Sequence, residues 1–133
     1  MQRHLKKWSS DLDGSVGCEK AADGHRERGQ YSSAMKSYID ALVAEKRCKG
    51  SQATLAYLWR KIVLVGGRKS IHVVDGLSVD WISADKIGTT VDGLCEPVLP
   101  FLQLGDCCFK KGEYTKAMKE YQQAAMTPGF NLR

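Results

Sequence analysis

Residues 28–41 read RGQYSSAMKSYIDA, and residues 111–124 read KGEYTKAMKEYQQA. Gly, Tyr, Ala, Met, Lys, Tyr and Ala recur at the same seven places, a constant 83 residues apart. Seven ordered matches within fourteen positions are far more than chance produces. An internal repeat at a fixed offset indicates repeated supersecondary units that stack on one another.

Each copy has the pattern of a helical hairpin. Ala34, Tyr38 and Ala41 fall at i, i+4 and i+7, which is one stripe of a helix, and the second copy repeats this stripe. The alanines predict the close approach of another helix. Gly29 and Gly112 follow basic residues, as glycines that end a helix in the left-handed conformation do. Because one hairpin cannot bury its apolar face alone, we expect neighbouring units.

These residues resemble the tetratricopeptide repeat, whose pattern is W-x2-L-G-x2-Y, then A-x3-F, an Ala and a Pro. The second copy departs from it at Cys108, where an aromatic residue is usual, and the first copy departs in its first helix, at Cys18, Ala21, Ala22 and His25. The resemblance covers roughly half the chain and implies a right-handed array of antiparallel helical hairpins. The matching positions of the second copy are Phe101, Leu104, Gly105, Gly112, Tyr114, Ala117, Tyr121, Ala124 and Pro128.

We therefore predict an all-α fold of about three helical hairpins with a degenerate middle unit. A basic tail over 1–14 precedes a repeat domain over 15–133, with repeats at 15–48 and 98–128, a degenerate unit at 51–77 and an insertion at 78–97. The first helix is expected to run to about residue 28, with Ser15 as N-cap and a close helix contact at Gly24. The second is expected over 32–48, closed by Lys49, Gly50 and Ser51.

The middle of the chain supports two interpretations. Residues 52–65 have helical spacing, and a turn at Gly66-Gly67 followed by a helix over 68–75 would complete a hairpin. Residues 62–65 and 71–74 are also β-branched runs around a glycine turn, the pattern of two strands. We favour helices, because an isolated two-stranded ribbon is marginally stable. One helical turn is expected over 80–86.

The period leaves the repeat type open. Two ordinary periods of 34 residues do not account for the 83-residue offset, and a longer repeat is the alternative. Residues 41–47 are similar to the extended second helix of the kinesin-light-chain type, although the histidine-proline connector of that type is absent.

Composition indicates one domain of ordinary globular character. The chain has 133 residues and a net charge of +5, which permits contact with acidic surfaces without requiring nucleic acid. Its five cysteines are an odd, scattered set, and no secretory leader is recognisable. Free thiols in a reducing, cytoplasmic location are therefore expected.

The motifs give no positive support for an enzyme, a cofactor or a metal site. The sequence from Ile62 to Ser70 resembles a phosphate loop but lacks the Walker spacing between its glycines. Cys95, Cys107 and Cys108 do not form a Cys-x2-Cys pair, and the histidines lie far from them in sequence. We predict a non-catalytic chain without cofactor or metal.

The resemblance implies a function in protein binding, because the first helices of such arrays line a concave groove. The chain is predicted to be a scaffold that binds a peptide or helix of unknown identity there. Some family members clamp chaperone C-terminal carboxylates with Lys and Asn, but acidic Glu19 and Asp23 stand at the clamp positions, which disfavours that partner. The groove-facing candidates are Glu19, Lys20, Asp23, Glu27, Leu99, Gln103, Asp106 and Lys110.

The alternative function is that of a basic helical repeat that binds nucleic acid. It requires Lys and Arg on the concave side, where the first copy carries acidic residues. Neither nucleic acid nor membrane is therefore expected as a partner.

At the C-terminal end Pro128 and Gly129 stop the last helix, and too few residues follow to build a capping helix. We expect this end to mediate self-association, or contact with a longer array or complex, through Phe109, Tyr114 and Met118.

Overall fold

The computed structural model describes residues 14–68 and 81–130, and this part of the chain is all-α, as predicted. An isolated antiparallel bridge joins Arg68 to Leu94, and no strand is formed within the described ranges. The predicted second helix of the middle unit and nearly all of the predicted basic tail lie outside these ranges. The helices are α1 (Ser15–Glu27), α2 (Tyr31–Arg47), α3 (Gln52–Gly66), α4 (Trp81–Ala84), α5 (Leu99–Lys110) and α6 (Tyr114–Ala125), with a 3₁₀ turn at Glu96–Val98.

The two repeat copies fold as hairpins with the same turn. Gly29 and Gly112 have φ values of 75° and 78°, the left-handed conformation predicted for them. The residue after each glycine closes the turn by donating its amide to the preceding helix, Gln30 N to His25 O at 2.8 Å and Glu113 N to Cys108 O at 2.9 Å. The pairs α1–α2 and α5–α6 are therefore packed antiparallel hairpins.

The predicted N-cap of the first helix was wrong, whereas the second helix is closed by Lys49 and Gly50 as predicted. Gly14, and not Ser15, is the N-cap of α1, and the Ser15 hydroxyl instead donates to Glu45 Oε2 of α2 at 2.5 Å. At the end of α2 the left-handed residue is Lys49, with φ of 51°, and the amide of Gly50 then bonds to Glu45 O at 2.9 Å. The turn needs its left-handed residue one position before the glycine that the sequence supplies.

Helix α3 settles the middle of the chain for residues 52–66. The strand interpretation of residues 62–65 was wrong, and the helix begins at Gln52 with Ser51 as its N-cap, whose hydroxyl accepts a bond from the Thr54 amide at 3.1 Å. The β-branched side chains are tolerated because nearly all of them are buried by neighbouring helices. The other β-branched run, 71–74, lies outside the described residues.

Helix α3 lies between the two hairpins, against α2 on one side and α6 on the other. One core cluster joins it to α1 and α2 through Leu55, Leu58 and Ile62. A second joins it to α5 and α6 through Val63 and Leu64. Burial on two faces explains why its sequence is apolar almost all the way round.

Small residues stand where the helices approach most closely. Ala34 and Ala117 are fully buried, as the repeat predicts. A methyl group added at Gly105 would lie 2.4 Å from the Tyr121 ring, which explains a glycine inside α5. The close helix contact expected at Gly24 was wrong, because the space beside it is filled by the Arg28 side chain.

The C-terminal hairpin does not expose the aromatic end that was expected. Phe109, Tyr114 and Met118 are half-buried and pack on the core, with the Phe109 and Tyr114 rings 5.0 Å apart. Leu104 and Met126 are exposed instead, by 53% and 76%. Self-association through this end stays a prediction, and it would use these residues rather than the three named from the sequence.

Candidate functional site

The four candidate residues of the second copy lie together on one groove. Leu99, Gln103, Asp106 and Lys110 of α5 line a cavity of about 460 Å³, whose opposite wall is formed by residues 88–92. Leu99, Leu102 and Val91 give this α5 groove an apolar part, while Gln103, Asp92 and Lys110 give it polar groups. A cavity that combines apolar side chains with a few polar groups is typical of ligand sites.

Asp106 lies in the groove wall, but its carboxylate already accepts hydrogen bonds from other residues of the chain. Its side chain is 5% exposed and accepts bonds from Arg60 Nε at 2.8 Å, the Tyr121 hydroxyl at 2.6 Å and the Gly88 amide at 2.9 Å. Burial raises the pKa of Tyr121, and the bond to Asp106 raises it further. Asp106 therefore organises the site rather than offering a free charge to a ligand.

The first copy contains the same arrangement with a lysine in place of the arginine. Lys61 of α3 binds Glu19 Oε2 at 2.6 Å and both oxygens of Asp23 at 3.1 Å, and the Tyr38 hydroxyl donates to Asp23. Burial would lower the pKa of Lys61, but the bond to Glu19 and the charges of Glu19 and Asp23 outweigh it and raise that pKa. The carboxylates of Glu19 and Asp23 thus bind Lys61 of the same chain.

The candidate residues therefore fall into three groups, which are the carboxylates bound within the fold (Glu19, Asp23 and Asp106), the other residues of the α5 groove (Leu99, Gln103 and Lys110), and Lys20 with Glu27. Asp23 and Asp106 stand 83 residues apart, as do their partners Tyr38 and Tyr121, so the carboxylate–phenol pair belongs to the repeat itself. Lys20 and Glu27 are exposed on α1 and lie outside the α5 groove. Because the structure duplicates the carboxylate–phenol pair, we interpret it as a packing device of each hairpin.

A second feature was missed from the sequence: residues 81–88, here called the crossing segment, contact all three of α1, α3 and α5. The Arg26 guanidinium of α1 binds Asp85 with two bonds, at 2.8 and 2.6 Å, and lies 4.6 Å from the centre of the Trp81 ring. Burial would lower the pKa of Arg26, but the bond to Asp85 and nearby charges raise it. The aspartate and the tryptophan thus bind one buried cation.

The backbone of the crossing segment is held by α3 and α5. Arg60 donates to the carbonyls of Ala84 at 2.7 Å and Lys86 at 3.1 Å, and the Tyr57 hydroxyl donates to Asp85 O at 3.0 Å. The Gly88 amide donates to Asp106 Oδ2. Side chains of α3 and α5 therefore bind the backbone of this segment in the way that they would bind the backbone of a peptide ligand.

A signal for this network was present in the sequence. Arg60 and Lys61 interrupt an otherwise apolar helix and are 0% and 4% exposed. Buried cations need paired carboxylates or hydrogen-bond acceptors, so their position predicts partners from neighbouring helices. Which partners they find depends on distant residues, since 46 residues separate Arg60 from Asp106.

The described residues form neither a metal site nor a disulfide. Within 14–68 and 81–130 no group of three or more His, Cys, Asp or Glu is placed to hold a metal ion. Cys18, Cys48, Cys95, Cys107 and Cys108 are not joined in disulfides. The helices of this part of the chain include none with the length and apolar character needed to cross a membrane.

Comparison of the chain with protein-family models, with curated proteins and with solved structures finds no match. A functional assignment therefore rests on the residues of this chain.

Proposed function

We propose that this chain is a non-catalytic protein-interaction module that binds a peptide in the α5 groove. The observation that carries the proposal is that Leu99, Gln103, Asp106 and Lys110, selected as groove residues from the repeat, line one cavity of about 460 Å³. The cavity is large enough for one or two side chains of a peptide.

The proposed architecture is a tetratricopeptide-like array. Two hairpins with equivalent glycine turns, buried alanines and Asp–Tyr pairs support it, as does the position of α3 between them. In this interpretation α1, α3 and α5 are the first helices of successive units and line the binding face. The absence of disulfides among the five cysteines favours a cytoplasmic location.

The groove favours a peptide that carries an apolar side chain and a carboxylate. Val91, Leu99 and Leu102 would contact the apolar side chain, and the exposed Lys110 would pair with the carboxylate. A chaperone tail remains disfavoured, because Glu19 and Asp23 occupy the clamp positions of the first copy. Nucleic acid is disfavoured as well, because Arg26, Arg60 and Lys61 already bind carboxylates of the fold.

Selection of linear peptides on the immobilised chain, followed by titration of the selected peptides, tests the proposal. Lys110→Glu is expected to weaken binding about tenfold or more, equivalent to roughly 1.4 kcal/mol. Lys111→Glu is the matched control, since it makes the same charge change at the adjacent exposed position, outside the groove lining. Equal affinities for the two variants, or failure to select any peptide, would contradict the proposal.

A further inference from the structure

The crossing segment occupies a surface that is built from buried polar groups. Arg26 is 2% exposed and Arg60 is 0% exposed, yet both direct their guanidinium groups at residues 84–86. A buried cation without an acceptor is strongly unfavourable. Whatever covers these two guanidinium groups therefore has to supply a carboxylate and carbonyl oxygens.

The crossing segment supplies these groups, and it also packs the buried Ala84 and the half-buried Trp81 on the core. Ala84 is 2% exposed, whereas Ile82 is 80% exposed, and Lys86 and Gly88 are exposed as well. Its polar contacts with the helices are made by the Asp85 carboxylate, the Trp81 ring, three carbonyls and one amide. Any peptide with an aromatic residue and an aspartate four positions later could present the same groups.

The surface also has an unused donor. Arg26 Nε is buried without a hydrogen-bond partner in the described residues. The Trp81 ring that covers Arg26 lies in turn beside the Tyr31 ring, with ring centres 6.1 Å apart, and Arg68 lies 3.6 Å from the centre of the Tyr31 ring. A different occupant that also offers an acceptor to Arg26 Nε would satisfy this surface more completely than the crossing segment does.

We propose that residues 81–88 are an internal ligand of the α1–α3–α5 surface, which a partner peptide with an aromatic residue and an aspartate four positions later displaces. The inference rests on the proposed function, in that the partner would continue from this surface into the α5 groove. The two are contiguous, because Gly88 ends the crossing segment and begins the opposite wall of the groove. Binding of a partner is thereby coupled to release of the chain's own segment.

The test uses a labelled synthetic peptide with the sequence of residues 81–90 and the full-length chain. The double variant Trp81→Ala, Asp85→Ala weakens the internal ligand and leaves every residue of α1, α3 and α5 unchanged. Ile82→Ala is the matched control in the same segment, at a side chain that is 80% exposed. The peptide should bind the double variant at least about tenfold more tightly than the native chain or the control.

A peptide in which the tryptophan and aspartate are both replaced by alanine should not bind the double variant. If the double variant does not fold, excess peptide should restore a cooperative thermal transition, and Asp85→Asn, which removes the charge but keeps the shape, provides a folded intermediate with severalfold tighter peptide binding. Equal binding to native, control and variant chains would overturn the inference. So would a folded Asp85→Asn or double variant that does not bind the peptide. Because this probe comes from the chain itself, the result is independent of whether selected peptides use Lys110.

Discussion

At the scale of single residues, two adjacent cations of α3 connect the hairpins. Lys61 reaches Glu19 and Asp23 of the first hairpin, and Arg60 reaches Asp106 of the second. Consecutive residues on a helix point about 100° apart, so one helix placed between two hairpins can direct a cation to each. The Arg60–Asp106 ion pair is buried and the Lys61 ion pairs are partly buried, and all of them require the helices to be correctly placed, which favours one arrangement of the three units over others.

Lys49 has a backbone conformation that glycine adopts more readily than a residue with a side chain. Its φ of 51° is left-handed, which is unfavourable for a residue with a Cβ. We expect Lys49→Gly to raise the free energy of unfolding by about 0.5–1 kcal/mol, because glycine adopts this conformation without strain. Denaturant titration measures the change. Lys36→Gly, at an exposed position in the interior of α2, is the control and should lower stability by a similar amount; a loss of stability in both variants would contradict the assignment at Lys49.

At the scale of elements, the repeat is a hairpin whose second helix carries alanines against its neighbours. Ala117 is fully buried between α6 and the helices that pack on it. Gly105 leaves space for the Tyr121 ring on the facing helix. The spacing of small and aromatic residues therefore sets how closely α5 and α6 approach.

Ala117→Leu tests this close packing. The larger side chain must overpack the contact, so we expect a loss of about 1–3 kcal/mol in the free energy of unfolding. Ala21→Leu is the matched control, because Ala21 is exposed on α1 and has room for the added atoms. The denaturation midpoint should fall for Ala117→Leu and change little for Ala21→Leu. Equal midpoints for Ala117→Leu and the native chain would show that the contact is loose.

The helices could be predicted from the sequence because their signals are local. The Ala–Tyr–Ala stripe and the glycine turns identify both hairpins, and the spacing from residue 52 identifies α3. The four groove residues of α5 follow from the same repeat. The crossing segment could not be predicted, because its contacts join residues far apart, such as Arg26 and Asp85 at a separation of 59. The N-cap of α1 was also not predicted, since Gly14 and not Ser15 occupies it.

At the scale of the whole molecule, the buried hydroxyl groups of two tyrosines and the ammonium group of Lys61 make the free energy of unfolding depend on pH in the alkaline range. Burial and bonds to Asp23 and Asp106 raise the pKa values of Tyr38 and Tyr121 well above their usual 10.0. The pKa of Lys61 is raised as well. Above about pH 10 the unfolded chain releases these protons while the folded chain keeps them, so the free energy of unfolding must fall as pH rises.

Each tyrosine is expected to contribute a decrease of about 1.4 kcal/mol per pH unit above pH 10. Urea titrations between about pH 8 and about pH 11 measure the dependence. Tyr121→Phe removes one titrating group and should give a shallower decrease, although its stability at neutral pH is lower because the bond to Asp106 is lost. The same slope for this variant and the native chain would exclude Tyr121 as a source of the dependence.

A map of where a selected peptide binds tests most directly whether the α5 groove and the crossing segment form the binding site. Backbone amide shifts of the isotope-labelled chain, recorded by NMR during titration with such a peptide, report which residues it affects. We predict that the largest changes fall on residues 81–92 and on the facing side of α5, where Gln103 and Lys110 line the groove. Changes concentrated on the outer surfaces of α2 and α6, with residues 81–92 and α5 unaffected, would contradict the account.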